Sequence, residues 1–231
     1  MKISLCGSLI ACFLWFKLGV LRDALRSLRI TMQDVPWFSP FVWADYRLAI
    51  LFLVVVPLAL LLWAFVQKAD AMQRLLTIYW RVASLLAITI YLLIGALPIA
   101  FFAGWFARVL IPVSLWYWAD LNEEIREQLA SPLKLTMTSW RWAVSIYCGL
   151  GVLAQLPVLK CALQASAEIQ SDAVCRTWLE PAWLYREYFH GSTQPWFLGF
   201  LGIAGLIVYT LYFGYFVFFK VGKRKRSAMG N

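Results

Sequence analysis

The chain carries a single histidine, His190, in the stretch WLYREYFHGS beside Arg186 and Glu187. An imidazole between an acid and a base is the minimum for proton transfer, and imidazole also ligates haem or chlorophyll metals. A lone histidine outside the apolar segments is ordinarily a surface or interface residue, so no catalytic residue is assigned. An enzyme built here would need Arg186, Glu187 and His190 to converge on one pocket. Four further oxygen ligands, Asp120, Glu123, Glu124 and Glu127, crowd one short stretch. Hard cations take such ligands, yet any solvated helix face looks the same and no second segment faces them. No metal is assigned, and the cofactor stays unknown. Walker, dinucleotide, HExxH and CxxC patterns are absent from the sequence.

Three other groups have chemistry to offer. Gln155 is the one polar side chain of interest inside an apolar segment, and a hydrogen bond across a helix bundle is its simplest use. Cys161 and Cys175 lie fourteen positions apart in a polar connection. Paired, they would restrict a loop and stabilise it by about 3 kcal/mol on chain-entropy grounds. Two free thiols fit the spacing equally well. Cys6, Cys12 and Cys148 fall in apolar runs, where cysteine is a small hydrophobe.

The elements that position these groups are membrane spans. Of 231 residues, 62% are hydrophobic and 14% charged, which leaves too little polar surface for a soluble domain. Between Arg81 and Arg108 runs VASLLAITIYLLIGALPIAFFAGWFA, uncharged throughout. Wholly helical, it would reach about 39 Å against a hydrocarbon core of roughly 30 Å. It is expected as one span with a tilt, or a kink at Pro98. Three more firm spans are expected at Leu48–Val66 (kinked at Pro57), Trp140–Leu159 and Trp196–Phe219. Gly149 and Gly151 in the third, and Gly199, Gly202 and Gly205 in the fourth, permit close helix approach and are the expected packing positions.

Shorter elements surround them. ADAMQRLLTIYWR reads as an interfacial helix with Asp70 and Gln73 as a capping pair, and VLIPVSLWYWA as a surface-packed segment too short to span. Asp120–Ala130 reads as a soluble helix, capped by Asp120 and Glu123, with Leu121, Ile125 and Leu129 as its apolar stripe. The fold class is therefore all-α, a polytopic transmembrane helical protein with four firm spans plus interfacial helices. Residues 1–35 form an apolar and basic N-terminal region, 36–219 the membrane domain, and 220–231 a basic tail. Residues 3–16 are too short for a firm span, and Arg22, Arg26 and Arg29 line one side of Val20–Ile30, as on an anionic membrane face. With four spans, most Lys and Arg fall on the side of Arg47 and the tail, which puts the core N-in and C-in. The +9 charge flanks apolar segments, so the bilayer explains it and nucleic acid is not needed.

The passage PFVWADYRLAILFLVVVPLALLLWAFVQKADAMQRLLTIYWRVASLLAITIYLLIGALPIAF resembles a cyanobacterial family of small multi-span membrane proteins of unknown function, the DUF3177 family. The resemblance is strongest over 37–102 and begins near Met32. It lies in the whole passage rather than in a catalytic motif, so no site residue is carried over. It implies a photosynthetic organism and a thylakoid or plasma membrane.

Sparse chemistry favours a non-enzymatic subunit or an assembly and stability factor with a membrane-protein partner, in a photosynthetic complex if the resemblance is followed. A transporter of small solutes or ions needs polar groups at membrane depth, where Gln155 is the lone candidate. A membrane enzyme would rest on His190.

Overall fold

The computed structural model describes residues 36–216 and Phe218. The apolar run 3–16 with Cys6 and Cys12, the basic helix 20–30, Phe219 and the tail 220–231 lie outside the described residues. The helical bundle belongs to the unit Pro40–Asn231.

Among the described residues, five helices are long and apolar enough to cross a membrane. The first, α1 (Ser39–Val66), is interrupted at Ile50–Val55 by a π-helical stretch. Pro57 explains the interruption. Its ring has no N–H, so Leu53 loses its donor in α register and Phe52 loses one in π register. Distant side chains replace both. The Tyr79 hydroxyl donates to the Leu53 carbonyl at 2.6 Å, and Trp140 Nε1 donates to the Phe52 carbonyl at 2.8 Å.

The Val82–Ala107 stretch is a hairpin, not one span. α2 (Asp70–Ile94) and α3 (Ile99–Trp116) are separated by a tight turn. Ala96 takes φ 50°, its N–H reaches the Leu93 carbonyl at 3.0 Å, and the Leu97 N–H reaches Leu92 at 3.1 Å. This pair of bonds is a Schellman stop with alanine where glycine is usual. Pro98 then starts α3 directly. The two helices lie antiparallel, so a Cβ on Gly104 would lie 3.2 Å from the Thr89 methyl. Lys68, at φ 53°, ends α1 by the same device.

α2 sits at the centre and packs against α1, α3 and three later helices. Its first turns, expected at the interface, are core: Ala71, Met72, Leu75, Leu76 and Tyr79 are buried. Asp70 does not cap it; Ala69 is the N-cap, and the Gln73 amide instead donates to the Ala64 carbonyl at 3.0 Å. The surface-packed segment expected after Arg108 is the second half of α3.

α4 (Ala119–Glu127) buries Leu121 and Ile125 as its pattern predicts. It starts at Trp118 without a side-chain cap and stops before Leu129, which stands exposed. α5 (Pro132–Gln155) is capped by Ser131, whose hydroxyl accepts from the Lys134 N–H at 3.2 Å. It tightens into a 3-10 helix over Leu156–Leu163, with Pro157 in its first turn. The short α6 (Ser166–Ser171) and the amphipathic α7 (Ala173–His190) follow, and α8 (Pro195–Tyr215) completes the bundle against α2.

Candidate functional site

Residue order alone sets the charges at the ends of the spans. The structure puts two of them inside. Asp45 lies within α1 and Arg108 halfway along α3, and they form a two-pronged ion pair, Arg108 Nη1 to Asp45 Oδ1 at 3.0 Å and Nη2 to Oδ2. Tyr147 on α5 donates to Asp45 Oδ1 at 2.7 Å, and the guanidinium lies 5.4 Å from its ring centre. Three helices are thus tied by one charged knot. A buried charge is tolerated at this depth only when paired and hydrogen-bonded. Gly151 makes the room: a Cβ there would stand 2.0 Å from Arg108 Nη1.

A third buried charge is handled differently. Arg141 on α5 donates to the Leu115 carbonyl at 2.8 Å, at the C-terminal end of α3, and lies 4.1 Å over the Trp116 ring. The Leu115 carbonyl, the Asn122 amide oxygen and an aromatic face stand in for a carboxylate.

The knot forms one wall of a cavity of about 390 Å³, lined by the first half of α1, the α2–α3 hairpin, the end of α5 and α7. Most of its lining is apolar, including Leu93, Phe101 and Ala182. Gln155 and Trp178 also line it. Gln155 Oε1 and Trp178 Nε1 are buried and have no hydrogen-bond partner. Gln155, expected to bond across the bundle through its amide, therefore leaves its oxygen unused. Tyr46 holds α7 in place, its hydroxyl donating to the Trp178 carbonyl at 3.1 Å.

The residues near His190 do not converge. His190 Nε2 lies 3.2 Å from the Tyr91 hydroxyl, while Arg186 Nε donates to the Thr193 carbonyl at 3.0 Å. None of Arg186, Glu187 and His190 lines the cavity. The Tyr185 hydroxyl beside them is held above its ordinary pKa by burial and by Tyr91. Among the described residues no group of three or more His, Cys, Asp or Glu is placed to hold a metal ion.

The sulfur atoms of Cys161 and Cys175 are bonded, with Cα atoms 5.9 Å apart, joining the 3-10 end of α5 to the first turn of α7. Asp172 caps α7 beside it, accepting from Val174 at 2.8 Å and Cys175 at 3.2 Å, with Lys160 at 3.8 Å. The Cys175 N–H foremost, then that of Val174, hold its carboxyl below the ordinary aspartate range.

The five glycines divide. Gly199 lies against the backbone of Gly95, where an added Cβ would come to 3.0 Å, and a Cβ on Gly202 would meet the Leu92 nitrogen at 2.9 Å. Gly205 has ordinary room against Ile88 at 3.4 Å. The glycine face of α8 is thus used up inside the bundle, on α2. Gly149 meets nothing within 4 Å.

These features define an all-α, polytopic membrane bundle with a charged knot and a mostly apolar cavity beside it. A family model described as a protein of unknown function, DUF3177, matches residues 39–229, and the chain belongs to that family. No curated protein and no solved structure matches it.

Proposed function

We propose that the protein is a non-enzymatic membrane subunit or assembly factor, and that α5 is the helix it offers to its partner. One observation carries this reading. In the most apolar stretch of Pro132–Leu163 17% of residues are buried, against 22% in each of α1 and α8 and 44% in each of α2 and α3. The longest span is the least covered, and Trp142, Ile146, Leu150 and Leu153 stand exposed on it around the open Gly149. A glycine on an outward face lets a second helix approach closely. A photosynthetic complex in a thylakoid or plasma membrane is the first partner to test, following the resemblance of residues 37–102.

Orientation belongs to the same proposal. Five alternating spans put the start of α1 and the Cys161–Cys175 bond on one face and the end of α8 on the other. Disulfides persist in oxidising compartments, so the bonded face is the outer or lumenal one. The tail with Lys220, Lys223, Arg224, Lys225 and Arg226 then stays on the cytoplasmic side, while the start of α1 moves to the opposite side from a four-span arrangement.

The test sets two glycines against each other. Gly149→Leu is expected to strip the co-purifying partner from gently solubilised membranes while leaving the melting temperature unchanged. Gly202→Leu is expected to lower the melting temperature by forcing α8 off α2. Undiminished recovery of the partner with Gly149→Leu contradicts the proposed face.

A further inference from the structure

Independently of any partner on α5, we infer that the cavity beside the knot takes the hydrocarbon chain of an anionic lipid whose acidic head group pairs with Arg47. The helices α1, α3 and α5 each carry one arginine, namely Arg47, Arg108 and Arg141. The fold answers two of them, Arg108 with Asp45, and Arg141 with the Leu115 carbonyl and Asn122. Arg47 stands exposed, and its guanidinium has no ion pair or hydrogen bond with any described residue. A charge within a span is costly until it is paired or reaches the head groups. The third arginine therefore awaits an anion from outside the bundle.

The cavity shows which kind of anion. Its charged lining residues are Asp45, Arg47 and Arg108. Asp45 and Arg108 neutralise each other, which leaves the lining with one positive charge in excess. An anionic head balances that excess, and a cationic one would add to it. Most of the remaining lining is apolar, and a volume of about 390 Å³ lies within the range of small-molecule sites. Ile50 and Val54 of α1 and Leu184 and Phe189 of α7 line the cavity and are also exposed, so it opens between these two helices. Arg47, Ile50 and Val54 follow at spacings of three and four along α1, which sets a chain against the last two when its head is on the first. An inorganic anion would leave this apolar lining unused. A fatty carboxylate and a phospholipid phosphate share the required chemistry, and the guanidinium fork fits either.

The test uses the full chain in phosphatidylcholine nanodiscs and hexadecyl phosphate bearing a photoreactive diazirine in its chain. Labelled peptides are expected from the cavity walls, 49–54 of α1 and 178–189 of α7. Unlabelled hexadecyl phosphate should displace the label, while hexadecanol and inorganic phosphate should not. Arg47→Gln should weaken apparent affinity about tenfold, the lower end of what a hydrogen bond to a charged group contributes, and Arg47→Lys should retain most of it. The melting temperature of Arg47→Gln should be unchanged, because no described residue depends on that guanidinium. Ile90→Trp, which fills the space, should abolish the cavity labelling. Hexadecanoate and phosphatidylglycerol as competitors then separate a fatty carboxylate from a phospholipid as the natural source. Label confined to the outward faces of α5 and α8 overturns the inference. So does displacement by hexadecanol or inorganic phosphate equal to that by hexadecyl phosphate. Undiminished affinity in Arg47→Gln overturns it as well, since an arginine that only reaches the bulk head groups would give that result. The competition series needs only the unaltered protein, so a variant that fails to fold does not decide the matter.

Discussion

Two polar places inside this bundle face the same problem and meet it differently. Around Pro57, where an N–H is missing and the helix changes register, two carbonyls each receive a donor from another helix, Tyr79 for Leu53 and Trp140 for Phe52. At the cavity, Gln155 Oε1 and Trp178 Nε1 receive nothing. The first place uses large aromatic side chains to close a defect of the backbone. The second leaves two buried polar atoms without a partner. The contrast separates polarity that the fold uses from polarity that it leaves unanswered.

The contrast can be broken hardest at the knot beside the cavity. Arg108→Ala leaves Asp45 buried and uncompensated, which should cost about 4 kcal/mol and show as loss of folded protein on size exclusion. Replacing both partners, Arg108→Met with Asp45→Leu, should recover most of that loss. Next comes the clasp at α7. Cys161→Ser should lower stability by about 3 kcal/mol on chain-entropy grounds and loosen the α7 wall, read as faster hydrogen exchange over 173–182. Tyr79→Phe should cost about 2 kcal/mol, because the Leu53 carbonyl then stays buried without a donor.

A smaller effect is expected at the Asp172 cap. Its folded-state pKa lies below the ordinary value, so the carboxylate favours the folded state at neutral pH. That contribution is present above the ordinary aspartate range and fades as pH falls through the depressed folded value. Protection of the first turn of α7 should therefore decline on acidification, and Asp172→Ala should flatten that decline at a cost of about 1 kcal/mol at neutral pH.

Much of this architecture is legible from residue order. The long uncharged runs mark the apolar helices, Pro57 marks the irregular turn of α1, and the Leu121–Ile125 spacing marks the buried side of α4. The α2–α3 hairpin is hidden because no charge or polar residue interrupts GALP, and the left-handed stop falls on Ala96 instead of a glycine. Gly95 followed by Pro98 is the available signal, since a Pro soon after a helix end cannot continue it. With the hairpin missed, Arg108 reads as a span boundary, and the knot with Asp45 disappears from view. The eleven apolar residues after Arg108, too few to span alone, point the other way. The cavity is a matter of three-dimensional packing, and only Gln155 announces it.

If the Pro57 site is closed by donors from other helices and Gln155 Oε1 is left unanswered, the two places should respond oppositely to losing a polar group. Thermal unfolding of delipidated protein in one detergent, comparing Tyr79→Phe with Gln155→Leu, reads this out. A clear loss is predicted for Tyr79→Phe. No loss, or a small gain, is predicted for Gln155→Leu, which removes an atom that has no partner. Equal losses in the two variants would contradict it.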